Sequence, residues 1–328
     1  MMPLAISCGE PAGVGPEVAA KAWDALKSEL PMVWIGDPTH LPAGTPFQPV
    51  EGPEDAAAVC PHALPVMARD FLGPLTPGTP QPSHAQGVID AIAEAVALTR
   101  AGRAGGVVTA PIHKAALIEG AGFGYPGHTE YLAALAGVER VVMMLACPEL
   151  RVVPATIHIP LAEVPAALTS ESLTETLRIT AAALRRDFGL PAPRIAVAGL
   201  NPHAGEDGKI GTEDRDVIAP VLKALRAEGM DLSGPLSADT MFHAAARQGY
   251  DAAVAMYHDQ ALIPIKTIDF AGGVNVTLGL PFVRTSPDHG TALDIAGQDR
   301  ADPTSMIAAC RMAAELAANR ARARGMVG

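Results

Sequence analysis

Cysteine, aromatic side chains and positive charge are scarce in this chain of 328 residues. Its four cysteines stand far apart without a C-x-x-C pair, so they cannot form a cysteine-based zinc site, and we expect reduced thiols. Aromatic residues make up only 4%, which argues against a platform that stacks nucleic-acid bases. Because 24 Lys and Arg oppose 35 Asp and Glu, the net charge is −11, which excludes a general nucleic-acid binder.

Long apolar runs are also missing. No run approaches the ~18 residues of a membrane span, and the first residues lack the basic and apolar segments of a signal peptide. We therefore expect a cytoplasmic protein with no membrane partner. Apolar residues make up 49% of the chain, enough for a real core, and the length suggests about two domains.

Strand and helix patterns alternate along most of the chain, which indicates an α/β fold with a mainly parallel or mixed sheet. The predicted strands are 3–8, 32–36, 106–110, 140–146, 151–158, 194–200 and 252–257. The predicted helices are 17–30, 86–101, 113–120, 129–137, a long helix ending at 188 with a capping box at Ser172–Glu175, 213–228, 239–248 and 302–324. Residues 37–83 are rich in proline, which is typical of a loop with short strands.

Three histidines follow predicted strands. His158, His203 and His258 each lie at or just after a strand end, where ligand sites of open α/β sheets occur. One such histidine alone is more simply explained by a hydrogen bond, but three together favour a site for Zn, Co or Ni. Asp239 and Asp259 are near in sequence and are candidates for extra ligands or for orienting the histidines.

A second set of residues suits an anionic small substrate. Lys266 and Arg284 flank Gly272–Thr277 and border apolar strands, and both side chains bind carboxylate or phosphate. His128 and Thr129 stand at a predicted helix start, which is a favourable place for an anion.

The usual dinucleotide fingerprint is absent. Gly122–Gly127 matches G-x-G-x-x-G, but it follows a helix rather than a strand and contains a proline. The first strand leads into Gly13-Val-Gly15, which lacks the third glycine. A nicotinamide cofactor would therefore need a different loop.

Several long motifs resemble the 4-hydroxythreonine-4-phosphate dehydrogenases of vitamin B6 biosynthesis. They occur in order along the chain: Gly9–Glu17, Thr109–Lys114, Gly127–Glu130, Leu200–Glu206, Gly234–Thr240, Met256–Gln260 and Gly273–Ser286. The segment Asp288–Gly297, here called the cofactor loop, is similar to the cofactor loop of isocitrate and isopropylmalate dehydrogenases. The resemblance implies two α/β/α domains with an interdomain active-site cleft: residues 1–126 plus 276–328, which carry the cofactor loop, and residues 127–275, which carry the metal ligands and dimer interface.

The resemblance also implies roles for residues. The family's metal ligands fall on His158, His203 and His258, with one divalent metal per site (Zn, Mg or Co). Its substrate contacts fall on His128, Thr129, Lys266, Asn275 and Arg284, and the cofactor, NAD or NADP, falls on His289, Gly290, Thr291, Ala292 and Asp294. The catalytic candidates are Lys266 and Asp239, with a hydroxide on the metal as the other possible base. In the family the metal site combines residues of two subunits, which implies a homodimer.

The implied activity is NAD(P)-dependent oxidation of 4-phosphooxy-L-threonine to 2-amino-3-oxo-4-phosphooxybutanoate, which decarboxylates to 3-amino-2-oxopropyl phosphate. Close relatives of the family act on 4-phospho-D-threonate or 4-phospho-D-erythronate, so sugar-acid catabolism is the alternative. A metal hydrolase, a coenzyme A-dependent transferase and a non-catalytic binding protein are the competing classes.

Overall fold

The computed structural model describes residues 1–325, so the end of the predicted terminal segment, 326–328, lies outside it. The chain divides into two compact units: unit 1 is 1–141 with the chain from 280 onward, and unit 2 is 142–279. The divisions expected from the resemblance, after residues 126 and 275, lie closer to the N-terminus than those of the structure, after residues 141 and 279. His128 and Thr129 consequently belong to unit 1 and not to the middle unit.

The elements alternate as the sequence patterns indicate. The strands are β1 (Leu4–Ser7), β2 (Met32–Gly36), β3 (Phe47–Pro49), β4 (Leu64–Ala68), β5 (Gly106–Thr109), β6 (Val142–Cys147), β7 (Leu150–Pro154), β8 (Arg194–Ala198), β9 (Asp231–Leu236), β10 (Ala252–Ala255), β11 (Val274–Leu278) and β12 (Arg284–Pro287). The helices are α1 (Gly15–Leu26), α2 (Ala56–Val59), α3 (Ala85–Arg100), α4 (Lys114–Ala121), α5 (His128–Ala136), α6 (Val164–Ala167), α7 (Ser170–Arg186), α8 (Ala219–Ala227), α9 (Ala238–Met241), α10 (Ala244–Arg247), α11 (His258–Ile268) and α12 (Thr304–Ala323).

Unit 1 contains a parallel sheet in the order β3-β4-β2-β1-β5-β12. Every residue of β1, β2, β5 and β12 is buried. Because neighbouring residues of a strand point to opposite faces, both faces of this sheet are covered. Helix α3 packs on β1, β2 and β5, while α12 packs on β5 and β12.

Unit 2 contains a mixed sheet in the order β11-β6-β7-β10-β8-β9. Strand β6 runs antiparallel to both β11 and β7, whereas β7, β10, β8 and β9 run parallel. An apolar cluster that includes Leu145, Val152, Ala253 and Ile265 joins the sheet to α11. The parallel half of this sheet supplies the strand ends that carry the three histidines.

Four details of the predicted elements are wrong. The capping box is formed by Thr169 and Ser172, whose hydroxyls each accept the other's backbone N–H at 3.1 Å, and not by Ser172 and Glu175. The predicted helix 239–248 is split into α9 and α10, because His243 is extended and caps the second helix. The predicted strand 151–158 ends at Pro154. The last helix begins after Pro303, although Asp302 still accepts the Thr304 N–H at 2.9 Å.

Further elements depart from the sequence patterns, and strands β9, β11 and β12 were not among the predicted strands. The predicted helix 213–228 begins as a π-helical turn, Asp214–Ile218, before α8. Helix α11 was not predicted, since Pro264 interrupts its pattern. Within residues 1–325 no helix is both long and apolar enough to cross a membrane.

Candidate active site

The three histidines follow three adjacent parallel strands of unit 2. Strand β10 pairs with β7 on one side and β8 on the other, and His158, His203 and His258 come after β7, β8 and β10 respectively. Parallel strands end at the same edge of a sheet, so all three histidines start from one edge.

Hydrogen bonds beyond the strand ends hold the chain near His158 and His258. Thr156 continues the pairing past β7, because its N–H and its hydroxyl both donate to the Met256 carbonyl, at 3.2 and 2.7 Å. Gln260 links the neighbouring strand ends: its amide donates to the Gly199 carbonyl at 2.8 Å, and its side-chain oxygen accepts the Met256 N–H at 2.7 Å. The sequence analysis did not identify this role of Gln260.

His158 and His258 line one cavity of about 270 Å³ in unit 2. Their ring centroids lie 5.7 Å apart. The Nδ1 atom of His258 lies 2.8 Å from Oδ1 of Asp259, so the carboxylate selects the tautomer with the proton on Nδ1 and leaves Nε2 as the electron-pair donor. Asp259 therefore orients His258, one of the two roles considered for it from the sequence.

His203 lies in a strained loop. Residues His203–Asp207 all have positive φ, from 42° to 80°, and only Gly205 among them is a glycine. His158 also has a positive φ of 49°. Non-glycine residues in this region carry a conformational cost and concentrate at functional sites.

Asp214 holds the start of the His203 loop (residues 199–208) through hydrogen bonds. Its carboxylate is 2% exposed and accepts the N–H groups of Leu200 and Asn201, at 2.8 and 3.1 Å. It also accepts the Asn201 side-chain amide at 2.9 Å. The Nδ1 atom of His203 lies 3.3 Å from Oε1 of Glu206 within the same loop. Asp214 was not predicted from the sequence, where it stands between two other acidic residues, Glu213 and Asp216, and nothing in the pattern distinguishes it from them.

The remaining candidates in unit 2 lie on three elements. Asp239 is exposed on α9, where the Ser237 hydroxyl donates to it at 2.6 Å. Lys266 is in the last turn of α11, with its Nζ 5.1 Å from the Phe270 ring centroid. Asn275 is half-buried on β11.

One group of potential ligands was not expected from the sequence. Within residues 1–325, Cys147, Glu149 and Asp269 place three ligand atoms within 4.8 Å of one another, whereas His158, His203 and His258 do not form such a group. Burial raises the pKa of the Cys147 thiol. Because the thiolate is the form that binds metal, this shift weakens the cysteine as a ligand.

Unit 1 carries a buried cationic site. Arg284, on β12, is 4% exposed, and its guanidinium donates to the Thr109 hydroxyl at 2.7 and 3.2 Å. Burial lowers the pKa of Arg284 to about 10, so it remains charged at neutral pH. His128 begins α5, and burial, followed by the charge of Arg284, holds its pKa well below the usual range. Among the described residues its buried Nε2 has no partner, and Thr129 follows it in the same first turn.

The cofactor loop packs against the first motif. The Val14 N–H donates to the Thr291 carbonyl at 2.9 Å, and a Cβ on Gly13 would lie 2.7 Å from that oxygen, which explains the glycine. Ala292 has a φ of 43°. Nδ1 of His289 lies 2.9 Å from the Gly290 carbonyl, while its buried Nε2 has no partner within residues 1–325. Gly290 and Asp294 are exposed, so this surface of the loop is open.

A cavity of about 710 Å³ lies in unit 1 beside the end of the cofactor loop. Its lining includes Gly297, the last residue of the loop, together with Gly13 and Asp299, but not His289 or Asp294. The volume of this cavity does not by itself identify a ligand site.

Similarity to a solved structure identifies the fold. A β-decarboxylating dehydrogenase from Thermococcus kodakarensis has a TM-score of 0.51 at 14% identity, over 99% of this chain and 88% of that one. This likeness shows that the two chains share a fold, which confirms the predicted α/β fold class.

The family follows from closer matches. The profile of pyridoxal phosphate biosynthetic protein PdxA matches residues 27–313. A 4-hydroxythreonine-4-phosphate dehydrogenase from Roseobacter denitrificans is 64% identical, over 96% of this chain and 97% of its own length. The crystal structure of a 4-hydroxythreonine-4-phosphate dehydrogenase from Klebsiella pneumoniae has a TM-score of 0.88 at 37% identity, over 96% and 98% of the two chains. The chain belongs to the PdxA family and is an oxidoreductase, so both sequence predictions are confirmed.

Proposed function

We propose that the chain oxidises 4-phosphooxy-L-threonine to 2-amino-3-oxo-4-phosphooxybutanoate, which decarboxylates to 3-amino-2-oxopropyl phosphate, in pyridoxal 5'-phosphate biosynthesis. The observation that carries this proposal is the set of three histidines after three adjacent parallel strands. The name of the 64% identical relative supports the substrate.

His158, His203 and His258 would hold one divalent metal, Zn, Mg or Co. The donor set fits, because His158 and His258 share a cavity and carboxylates contact the Nδ1 atoms of His203 and His258. Imidazole nitrogens suit Zn and Co better than Mg. When bound, the metal supplies Lewis-acid chemistry for oxidation of an alcohol.

A homodimer would complete this site. Among the described residues the ligand atoms of His158, His203 and His258 do not all lie within 4.8 Å of one another, as expected if the partner contributes a ligand. Large apolar side chains are exposed on this part of unit 2: Leu161 beside the histidine cavity, Ile263 on α11, and Phe270, which is 79% exposed. Exposed apolar groups of this kind favour an interface between subunits.

The anionic ends of the substrate would be bound by the predicted cations and hydrogen-bond donors. Arg284 offers a buried positive charge, which is stronger toward an anion than an exposed one because water screens it less. His128, kept neutral, and Thr129 add hydrogen bonds at the start of α5. Lys266 and Asn275 complete the predicted set.

Proton transfer would fall to Lys266 or Asp239. A carboxylate accepts a proton directly, whereas a lysine must first lose one to act as a base. Hydride acceptance belongs to NAD or NADP, held by His289, Gly290, Thr291, Ala292 and Asp294, and the chain mainly positions it.

The test is formation of reduced cofactor by metal-loaded protein on 4-phosphooxy-L-threonine, with 4-phospho-D-threonate and 4-phospho-D-erythronate run in parallel. We expect a preference for the amino acid by kcat/KM. A preference for either aldonate phosphate would contradict the vitamin B6 assignment. Phosphate release without reduced cofactor would contradict the dehydrogenase reaction.

A further inference from the structure

The motif Gly9–Glu17 has no part in the proposed chemistry, yet its last residue contacts the chain just beyond the cofactor loop. Oε1 of Glu17 accepts the Ala301 N–H at 2.7 Å. Lys21, one turn later on α1, donates from Nζ to the carbonyls of Asp299 and Ala301, at 3.2 and 3.0 Å. We call Glu17 and Lys21 the α1 clamp.

The clamp is a connected network. Oε1 of Glu17 also accepts from Lys21 Nζ at 2.9 Å, and the same Nζ lies 3.0 Å from the Asp299 carboxylate. Glu17 is 5% exposed. A buried carboxylate whose hydrogen bonds are charge-assisted fixes its partners more firmly than a surface ion pair does.

The backbone that the clamp holds is strained. Asp299 has a φ of 57°, and Ala292, inside the loop, has a φ of 43°. Such conformations persist only where surrounding contacts impose them. At the other end of the loop, Val14 of the same motif donates to the Thr291 carbonyl. The first motif thus contacts the loop and the segment that follows it.

We propose that Glu17 and Lys21 are positioning residues for the nicotinamide cofactor: they hold residues 299–301 and thereby keep the cofactor loop in its binding conformation. The inference rests on the proposed function, which assigns the cofactor to this loop. Neither residue needs to touch the cofactor for this role.

The test compares Lys21→Met with Lys27→Met in the full-length protein. Lys27 ends the same helix, but its ion pair, 2.7 Å to Asp24, is exposed. We expect Lys21→Met to raise the Kd for NADH, measured by fluorescence titration, and the KM for NAD by about tenfold, as expected for loss of a charge-assisted network. The KM for the phosphorylated substrate and kcat at saturating NAD should change less than about twofold. Lys27→Met should match the wild type.

Two more conservative variants distinguish the contact of Lys21 with the Asp299 carboxylate from its contacts with backbone carbonyls. Asp299→Asn removes the carboxylate but keeps the backbone carbonyl that Lys21 binds, so its effect on NADH binding should be smaller than that of Lys21→Met. Lys21→Arg keeps a charged donor and should restore much of the affinity.

Three outcomes would overturn the proposal. A folded Lys21→Met with wild-type NADH affinity would contradict it directly. Equal weakening of cofactor and substrate binding would indicate a general structural role. If both Lys21→Met and His289→Ala leave NADH binding unchanged, the cofactor does not bind at this loop and the clamp proposal fails with that assignment. If His289→Ala weakens NADH binding but Lys21→Met does not, only the clamp proposal is overturned.

Discussion

The His203 loop of unit 2 (residues 199–208) and the cofactor loop of unit 1 both have an unusual backbone conformation, but different contacts hold each of them. Both contain non-glycine residues with positive φ. In the His203 loop the unusual conformations are consecutive, and one buried carboxylate, Asp214, accepts three N–H groups at its base. In the cofactor loop a single non-glycine residue, Ala292, has such a conformation. The contacts from Val14, Glu17 and Lys21 are spread over residues 291–301, that is, over the loop and the segment that follows it.

The difference predicts different tolerance to substitution. A loop whose strain is concentrated above a single anchor should lose its conformation when that anchor is changed. A loop held by several contacts should lose only part of its ligand affinity when one of those contacts is removed. Variants in the two loops test this contrast, with the largest effects expected in the His203 loop.

His203→Ala should have the largest effect. Removal of an imidazole ligand should abolish metal occupancy and turnover together, since two remaining ligands rarely hold a divalent metal at a catalytic site. Metal content after dialysis and the optical spectrum of the cobalt-loaded protein measure occupancy independently of activity. His62→Ala, at an exposed histidine of unit 1, is the matched control. Full activity and metal content in His203→Ala would refute the three-histidine site.

Asp214→Asn should come next. The amide replaces one accepting oxygen with a donor facing N–H groups, which costs roughly 2–3 kcal/mol of unfolding free energy. Metal affinity should fall about 10- to 100-fold because His203 loses its fixed position. Asp216→Asn, on the same π-helical turn, changes an exposed carboxylate paired with Arg215, and its stability should stay within about 0.5 kcal/mol of the wild type.

Denaturant unfolding and cobalt titration of the two variants provide the measurements. Equal metal affinity in Asp214→Asn and Asp216→Asn would show that the loop does not depend on one anchor. The contrast with the cofactor loop would then be lost.

Much of the fold followed from the sequence because burial leaves a local pattern. Residues 32–36 and 252–255 are apolar on both faces, as strands buried on both sides must be. Helix α11 was not predicted because Pro264 interrupts its helical pattern. The predicted helix 239–248 is divided because the side chain of His243 caps α10. Those outcomes depend on tertiary contacts that a local pattern does not contain.

Some residues of the candidate site could likewise be identified from local sequence patterns, and others could not. The three histidines were identifiable because each stands beside a strong strand signal. Asp214, Gln260 and the α1 clamp were not, since they act through backbone groups that are distant in sequence: Gln260 binds the Gly199 carbonyl, and Glu17 binds the Ala301 N–H. The roles of the metal-ligand, catalytic, substrate and cofactor residues stay predictions.

A pH titration should give the smallest effect and distinguish the histidines of the two units. His128 in unit 1 is half-buried with its Nε2 atom inside, and its pKa is lowered mainly by burial of the ring. The unfolded chain therefore binds a proton near pH 6.5 that the folded chain does not. The stability that His128 contributes is complete above that pH and is lost as the pH falls toward the folded pKa. For one proton the slope is at most about 1.4 kcal/mol per pH unit.

His128→Gln should flatten the dependence of unfolding free energy on pH below about 6.5. Part of the slope should remain, because burial also lowers the pKa of His40. His62→Gln, at an exposed position, should leave the wild-type curve unchanged. An identical slope in His128→Gln and the wild type would mean that His128 is hydrated or already charged in the folded chain, and the neutral donor assigned to it at the start of α5 would have to be withdrawn.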